Sequence, residues 1–288
     1  MAGTEVASAA PFVPDGADLD MLRQAALGCH GCHLYENATQ TVFSRGNANA
    51  EMVLVGEQPG DVEDQRGLPF VGPAGVLLRR AVGDVGLAPE RLYITNAVKH
   101  FKFKQAGRGT RRIHQTPDQI EITACRPWLL AEFAQLSPRI VVALGATAAQ
   151  ALLGPAFRVT RQRGVLMPWP ASAHRPADFG ELASRTTRQL GELASRTTRQ
   201  LGELASRTTR QLGELEGRTT RQLGEPGSTT AGHFGELASR TTRQSPQAGD
   251  RAQILATVHP SAILRADDRD TAYAGFVADL AVAAKALA

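Results

Sequence analysis

The chain is poor in cysteine and contains no long apolar segment. Its three cysteines are Cys29, Cys32 and Cys125, and an odd number argues against a disulfide framework. No segment approaches the roughly 18 apolar residues of a membrane-spanning helix, and the N-terminal residues lack the basic and apolar regions of a secretory signal. We therefore expect a cytoplasmic protein that does not contact a membrane, in which the Cys29–Cys32 pair serves metal ligation or redox chemistry.

Charge and composition do not identify a substrate. The net charge is +4, the isoelectric point is about 9.2, and 42% of the 288 residues are hydrophobic. Such a chain can bury a full core, and its mildly basic balance suits an ordinary enzyme as well as a protein that binds nucleic acid.

One stretch of the chain is repetitive. The unit Gly-Glu-Leu-Ala-Ser-Arg-Thr-Thr-Arg-Gln-Leu begins at Gly180 and recurs with a period of 11 residues. This period could support a right-handed helical coil or a partner-binding arm, but Gly and the Thr-Thr pair in each unit disfavour helix. We interpret 172–250 as an inserted, disordered or weakly helical segment. Residues 1–171 and 251–288 then form a single domain.

Outside the repeats, short apolar runs alternate with helical patterns. The predicted strands are Met52–Gly56, Leu92–Asn96, Ile140–Gly145 and Ile254–His259. The predicted helices are Ala74–Val85, Ile120–Gln135, Ala146–Leu153 and Thr271–Leu287. Continuous apolar strands separated by helices are typical of a doubly wound α/β fold, whose parallel sheet is covered on both faces.

Polar residues stand at the carboxyl ends of three predicted strands. Glu57 and Gln58 follow the first strand, Asn96 ends the second, and His259 ends the last. Because the carboxyl ends of parallel strands lie at one edge of the sheet, we expect these side chains to converge on a functional site.

The cysteines indicate a metal site. Cys29 and Cys32 lie in one turn, Gly-Cys-His-Gly-Cys-His, and Cys125 lies on a predicted helix. A tetrahedral zinc site or a cuboidal iron–sulfur cluster needs a fourth ligand. The candidate histidines are His30, His33 and His100. A thioredoxin-like pair is disfavoured because the two cysteines do not follow a strand and open a helix, whereas spacing alone leaves both zinc and iron–sulfur open.

A basic loop follows the second predicted strand. Between Lys99 and Arg112 it carries six Lys or Arg, no acid, and two interleaved phenylalanines. A charge run is usually a solvated surface, but cations with aromatics and glycines beside a sheet end favour phosphate binding. The expected DNA-backbone contacts are Lys99, Lys102, Lys104, Arg111 and Arg112. His114 closes the loop and, by itself, would be another phosphate contact.

These motifs together resemble those of the uracil-DNA glycosylases. Gly56–Asp61 resembles the first active-site motif of that family, His259–Ser261 the second, and Gly67–Gly75 the loop whose aromatic ring stacks on the flipped base. The cysteines stand where the iron–sulfur branch, family 4, has cluster ligands. Within that branch, Gln58 and the run Arg111–His114 resemble the UdgX group, which cross-links covalently to uracil-containing DNA.

The resemblance covers nearly all of 15–170 and 252–288, and it implies a fold and a chemistry. The implied fold is a three-layer α/β/α domain with a central, mostly parallel four-stranded sheet. The implied catalytic residues are His114, Glu57 and His259. Of these, His114 attacks the anomeric carbon. Implied uracil-binding residues are Gln58, Asp61, Phe70 and Asn96. Implied ligands of a [4Fe–4S] cluster are Cys29, Cys32, His100 and Cys125. The expected partner is uracil-containing DNA, single- or double-stranded, and we expect a monomer.

Three departures from the family and two alternative functions accompany this resemblance. His100 stands where the fourth ligand is usually a cysteine, and Thr110 stands where another basic residue is expected. The repeats have no counterpart in the family. The alternatives are a conventional uracil-DNA glycosylase with multiple turnovers and a zinc-stabilised nucleic-acid-binding module without catalysis.

Overall fold

A mixed sheet forms the centre of the computed structural model, which describes residues 7–107, 111–169 and 252–288. Its strands, with those of a separate hairpin, are β1 (Ser44–Arg45), β2 (Met52–Gly56), β3 (Leu92–Asn96), β4 (Phe103–Gln105), β5 (Arg112–His114), β6 (Ile140–Leu144), β7 (Met167–Pro168) and β8 (Gln253–Thr257). The six strands of the sheet follow the order β1-β3-β2-β6-β8-β7, and β4 pairs with β5. The central four, β3-β2-β6-β8, are parallel, which confirms the predicted fold class.

Helices cover both faces of this sheet. They are α1 (Leu19–Ala26), α2 (Asp61–Arg66), α3 (Pro73–Asp84), α4 (Gln119–Gln135), α5 (Ala146–Leu153), α6 (Val159–Gln162), α7 (Pro260–Leu264) and α8 (Arg269–Lys285). Short 3₁₀ turns occupy Ala10–Phe12, His33–Glu36 and Pro89–Arg91. Among the described residues, no helix is both long and apolar enough to cross a membrane.

Alternation along each strand divides the apolar side chains between two cores. Val53 and Val55 of β2 pack with α1, α4 and α5, whereas Met52 and Leu54 pack with α3, α7 and α8. Successive strand residues point to opposite faces, so a strand covered on both sides has to be apolar throughout. This requirement explains why an unbroken run such as Met-Val-Leu-Val predicts a central strand.

Some elements differ from the prediction. The edge strands β1 and β7 are two residues each and antiparallel to their neighbours, and such short pieces carry no periodicity. The basic loop, in which no strand is predicted, contains the β4–β5 hairpin. Residues 108–110 of that loop and the inserted repeats, 172–250, lie outside the described residues.

The described ends on either side of the insertion are hydrogen-bonded neighbours. Trp169 donates its backbone N–H to the Ala252 carbonyl at 2.8 Å, and Pro168 lies opposite Gln253 in the β7–β8 ladder. Two strands that end in register are joined in many proteins by a turn of two residues. A short turn can therefore connect β7 to β8 in place of the insertion.

We expect that replacing residues 170–251 by Asn-Gly, the sequence favoured in two-residue hairpin turns, leaves the fold intact. The melting temperature should stay within about 5 °C of the full chain, because β7 and β8 keep their register and their packing. Thermal unfolding followed by circular dichroism measures this, with the full-length protein as control. An insoluble or non-cooperative product would show that the insertion contributes to the fold.

Candidate active site

A cavity of about 600 Å³ lies at the carboxyl edge of the parallel strands. Its wall combines the strand ends with the α2–α3 segment, the β4–β5 hairpin and α7. The lining residues are Glu57, Gln58, Gly60, Glu63, Phe70, Ala74, Asn96, Ile113, His114, Thr116, Gly145, Ala146, His259, Ser261 and Arg265. The structure thus brings together the polar strand-end residues that the sequence places far apart.

The Glu57 carboxylate stands between a threonine and a histidine. Its Oε2 accepts a hydrogen bond from the Thr147 hydroxyl at 2.5 Å, and its Oε1 lies 3.5 Å from His114 Nε2. Burial lowers the pKa of His114, and Arg265 adds to this effect, whereas the Glu57 charge opposes it. The imidazole is therefore neutral near pH 7, although its side chain is 47% exposed.

Gln58 ties the hairpin to the end of β2. Its Oε1 accepts from the Lys102 N–H at 2.8 Å, and its Nε2 donates to the Gln115 carbonyl at 2.9 Å. The same Nε2 lies 3.0 Å from His114 Nε2. Because an amide nitrogen offers only hydrogens, His114 Nε2 can serve this contact only as an acceptor, and it shares the two amide hydrogens with the carbonyls of Gln115 and Lys102. Gln58 therefore positions His114 and favours the tautomer that keeps a lone pair on Nε2.

Asn96 places an unpaired acceptor in the cavity. The residue is 1% exposed, and its Oδ1 has no hydrogen-bond partner among the described residues. A Cβ at position 56 would collide with that oxygen and approach the Phe70 ring to 2.6 Å, so Gly56 is required here. Buried polar atoms without partners are rare and costly, and this one indicates a site where a ligand donates a hydrogen.

Phe70 is held in an unusual backbone conformation. Its φ is +55°, in the left-handed region that non-glycine residues seldom adopt. Arg79 donates to its carbonyl at 2.8 Å, and Glu63 accepts from the Gly72 N–H at 2.8 Å on the same loop. The ring is buried, with its centroid 5.8 Å from that of His259. These contacts fix an aromatic face on one side of the cavity.

Backbone contacts determine the tautomer of His259. Its Nδ1 accepts from the Ser261 N–H at 3.2 Å, so the ring hydrogen of the neutral form sits on Nε2. Burial, with smaller contributions from His114 and Arg265, lowers the pKa of His259 to about 4. His259 therefore presents a neutral N–H donor to the cavity.

The structure corrects the expected set of DNA-backbone contacts. Lys99 is fully buried, where its Nζ pairs with Glu132 at 2.5 Å. The Arg112 guanidinium forms ion pairs with Asp61 and Asp64, each at 2.5 Å. Neither cation is available to a phosphate.

Among the described residues, three exposed cations lie at the cavity rim or on the hairpin surface. Lys104 and Arg111 are exposed on the hairpin, and Arg265 is exposed at the cavity rim. Lys102 is partly exposed but paired with Glu121 at 2.8 Å and Asp118 at 3.2 Å. Exposed cations suit phosphate contacts better than paired ones, since no ion pair has to break first.

Asp61 also departs from its expected place as a uracil contact. It does not line the cavity, and its carboxylate binds Arg112 and the Gln65 amide, which lies 2.9 Å away. The residue supports the hairpin through Arg112 rather than facing a base.

The three cysteines lie near enough for their charges to interact, and two of them, Cys29 and Cys125, are buried. The Trp128 indole donates to Cys29 Sγ at 3.1 Å, and the Lys99 N–H donates to Cys125 Sγ at 3.3 Å. Burial raises the pKa of Cys125 to about 12, with smaller contributions from Cys32 and Cys29. Within the described ranges, no three His, Cys, Asp or Glu side chains are arranged to hold a single metal ion.

Thr41 orients His100, the histidine next to this group. The Thr41 hydroxyl gives its only hydrogen to the Ala26 carbonyl at 2.8 Å, so at its 2.9 Å contact with His100 Nε2 it must accept. His100 Nε2 therefore carries the ring hydrogen, and Nδ1 keeps a lone pair for a ligand bond. By contrast, His33 lies 3.2 Å from Glu121, and His30 packs against Tyr35.

Sequence reasoning missed three residues around the cavity. Glu63 supports the Phe70 loop, Arg265 lines the rim, and Thr147 binds Glu57. Thr147 follows the carboxyl end of β6, so the strand-end argument applied to that strand would have indicated it. Arg265 lies shortly after His259–Ser261, whereas no sequence signal separates Glu63 from the other acids of α2.

Comparison with known proteins is consistent with this geometry. A model of the Uracil DNA glycosylase superfamily matches residues 43–281. The chain is 35% identical over 152 residues to a type-4 uracil-DNA glycosylase of Thermotoga maritima, an alignment that covers 52% of this chain and 74% of the relative. It is 33% identical over 156 residues to a type-4 enzyme of Sulfurisphaera tokodaii, covering 52% and 67%. A type-4 enzyme of Archaeoglobus fulgidus is 37% identical over 132 residues, covering 46% and 62%.

The lowered pKa of His259 predicts a pH-dependent part of the stability. Between pH 6.5 and about 4 the unfolded chain binds a proton that folded His259 does not, so the free energy of unfolding falls as the pH falls. His259→Gln should lose this part of the slope. Urea unfolding at pH 7 and pH 5 measures it, with wild type as the reference that retains the contribution of His100. Equal slopes in the two proteins would contradict the assignment.

Proposed function

The chain belongs to the uracil DNA glycosylase superfamily, and we propose that it excises uracil from DNA and then bonds covalently to the sugar through His114. The observation that carries the first part is the buried, unpartnered Oδ1 of Asn96 in a cavity of suitable size for a flipped nucleotide. The names of the type-4 relatives support the same activity.

Asn96 gives the cavity its preference for uracil. Its Oδ1 accepts from the N3–H of uracil, and its amide N–H donates to O4. Cytosine presents an acceptor at N3 and a donor at C4. In this buried site its acceptor would face the Asn96 acceptor and its donor would face the Asn96 donor. Phe70 stacks on the base, and Gly56 leaves room for both.

His259 stabilises the leaving group. Cleavage of the bond between C1′ and N1 moves its electron pair onto uracil, whose O2 takes up negative charge. A neutral Nε2–H aimed at that oxygen gains strength as the charge develops, which lowers the barrier. Because Ser261 already donates to Nδ1, the ring hydrogen is on the nitrogen that the proposal requires.

His114 then attacks the sugar cation. Gln58 holds its Nε2 as an acceptor, so the lone pair is present without removal of a proton. The lone pair forms the bond to C1′, and the resulting imidazolium loses its Nδ1 proton to solvent. Glu57, with Oε1 3.5 Å from Nε2, stabilises the cation during this step. An imidazole held beside C1′ outcompetes water through its effective concentration.

The exposed cations hold the DNA backbone. Arg265 lines the cavity and Lys104 and Arg111 are exposed on the hairpin, and none of the three forms an ion pair in the described part of the chain. They supply affinity without sequence preference. Single- or double-stranded uracil-containing DNA is the proposed substrate, and a monomer suffices because one chain provides every proposed residue.

We also propose that Cys29, Cys32, Cys125 and Nδ1 of His100 hold a [4Fe–4S] cluster with a structural role. The donor set fits the group: two buried thiols and one partly buried thiol lie near enough to interact, N–H groups donate to two sulfurs, and Thr41 leaves one imidazole lone pair unused. A cuboidal cluster takes each ligand on a separate iron, so its ligands need not meet at one point, as zinc ligands must. Stoichiometric zinc without iron in anaerobically purified protein would contradict this assignment.

Removal of the Asn96 amide should slow uracil excision at least tenfold, because the polar edge of uracil then lacks partners in a dry pocket, at a cost of about 1–3 kcal/mol. Single-turnover assays of Asn96→Ala on uracil-containing DNA measure this. Asn49→Ala, the same change at an exposed turn residue, is the matched control and should behave like wild type. Unchanged excision by Asn96→Ala would place uracil recognition elsewhere.

A covalent adduct should form between His114 and DNA that contained uracil. Wild type incubated with such DNA should gain the mass of the strand minus uracil, and protease digestion should leave the DNA remnant on the peptide with His114. His114→Ser should release free abasic DNA, because water then reaches the same cation. Thymine-containing DNA is the control and should give no adduct. Free abasic DNA from wild type would instead favour conventional turnover.

A further inference from the structure

Thr147 stands directly behind the Glu57 carboxylate. It is the second residue of α5, it is 5% exposed, and it does not itself line the cavity. Its hydroxyl donates to Glu57 Oε2 at 2.5 Å. The contact joins two strand ends, since Glu57 follows β2 and Thr147 follows β6.

This contact leaves one carboxylate oxygen free to face His114. A carboxylate on a glutamate rotates easily about its last bond, because that torsion has broad minima. With Oε2 engaged by Thr147, the other oxygen, Oε1, is the one that lies 3.5 Å from His114 Nε2. Glu57 is 20% exposed, so without the hydroxyl it would be free to turn toward solvent.

We propose that Thr147 is a positioning residue that fixes the Glu57 carboxylate for reaction with the flipped nucleotide, an inference that rests on the proposed function. The hydroxyl does not touch the nucleotide; it sets the direction in which the charge of Glu57 points. Electrostatic stabilisation of a short-lived sugar cation depends on charges that are in place before it forms. Loss of the hydroxyl should therefore slow the chemical step and leave DNA binding unchanged.

The chain provides a matched control for this substitution. Thr257 is buried at the end of β8, and its hydroxyl donates to Asp279 Oδ2 at 2.5 Å. Asp279 is paired with Arg163 at 2.8 Å and does not line the cavity. Thr257→Val removes a hydrogen bond of the same kind and length from a carboxylate that the proposed chemistry does not use.

Single-turnover kinetics on uracil-containing DNA provide the test. Thr147→Val, which keeps the shape of the side chain, should lower the maximal rate about tenfold with an unchanged half-saturating DNA concentration. Thr147→Ser, which keeps the hydroxyl, should react within about twofold of wild type. Thr257→Val should keep the wild-type rate, even where its melting temperature falls. Should Thr147→Val fold poorly, Thr147→Ala gives the same comparison with Thr147→Ser.

A double-mutant cycle separates positioning from general stability. In a Glu57→Ala background, Thr147→Val should cause no further loss of rate, because the group it orients is gone. An undiminished effect in that background, or a wild-type rate for Thr147→Val, would overturn the inference and leave the proposed function standing. A wild-type protein that leaves uracil-containing DNA unchanged would overturn both.

Discussion

A buried ion pair between Lys99 and Glu132 supports both Asn96 and the cysteine group. Lys99 Nζ donates to Glu132, to the Thr95 hydroxyl and to the Asn96 carbonyl, while the Lys99 N–H donates to Cys125 Sγ. Removal of one partner from a buried pair costs about 3–5 kcal/mol, because the other charge is left without compensation. The segment that follows β3 is therefore held between α4 and the sheet. The same ion pair thus fixes both ends of this segment, Asn96 and His100.

A second set of charges holds the hairpin. Arg112 crosses from β5 to Asp61 and Asp64 on α2, and its guanidinium lies 5.0 Å from the Phe103 ring centroid. Gln58 closes the base of the same hairpin. His114 is half exposed, so its position depends on these supports rather than on burial around it. An arginine committed to two carboxylates contributes rigidity to the site.

The sequence was informative where local chemistry decides structure. Apolar runs predict β2, β3, β6 and β8 closely, and the rule for strand ends brings Glu57, Asn96 and His259 to one edge. The sequence was not informative where a side chain can choose between several partners. Lys99, Arg112 and Lys104 look alike in the basic loop, yet one is buried, one is paired and one is exposed. That choice depends on acids such as Glu132 and Asp64, which are distant along the chain and reach the loop only through tertiary packing.

The two histidines of the cavity show how hydrogen bonds, more than ionisation, divide the proposed roles. Burial lowers the pKa of both rings, so each is neutral near pH 7 and neither role follows from charge. A backbone N–H on Nδ1 of His259 leaves its Nε2 as a donor, whereas the Gln58 amide on Nε2 of His114 leaves that nitrogen as an acceptor. The His259 ring is therefore suited to stabilise a developing anion, and the His114 ring is suited to attack a developing cation. In the proposed reaction the same residue type acts at opposite ends of one breaking bond, because its neighbours favour opposite tautomers.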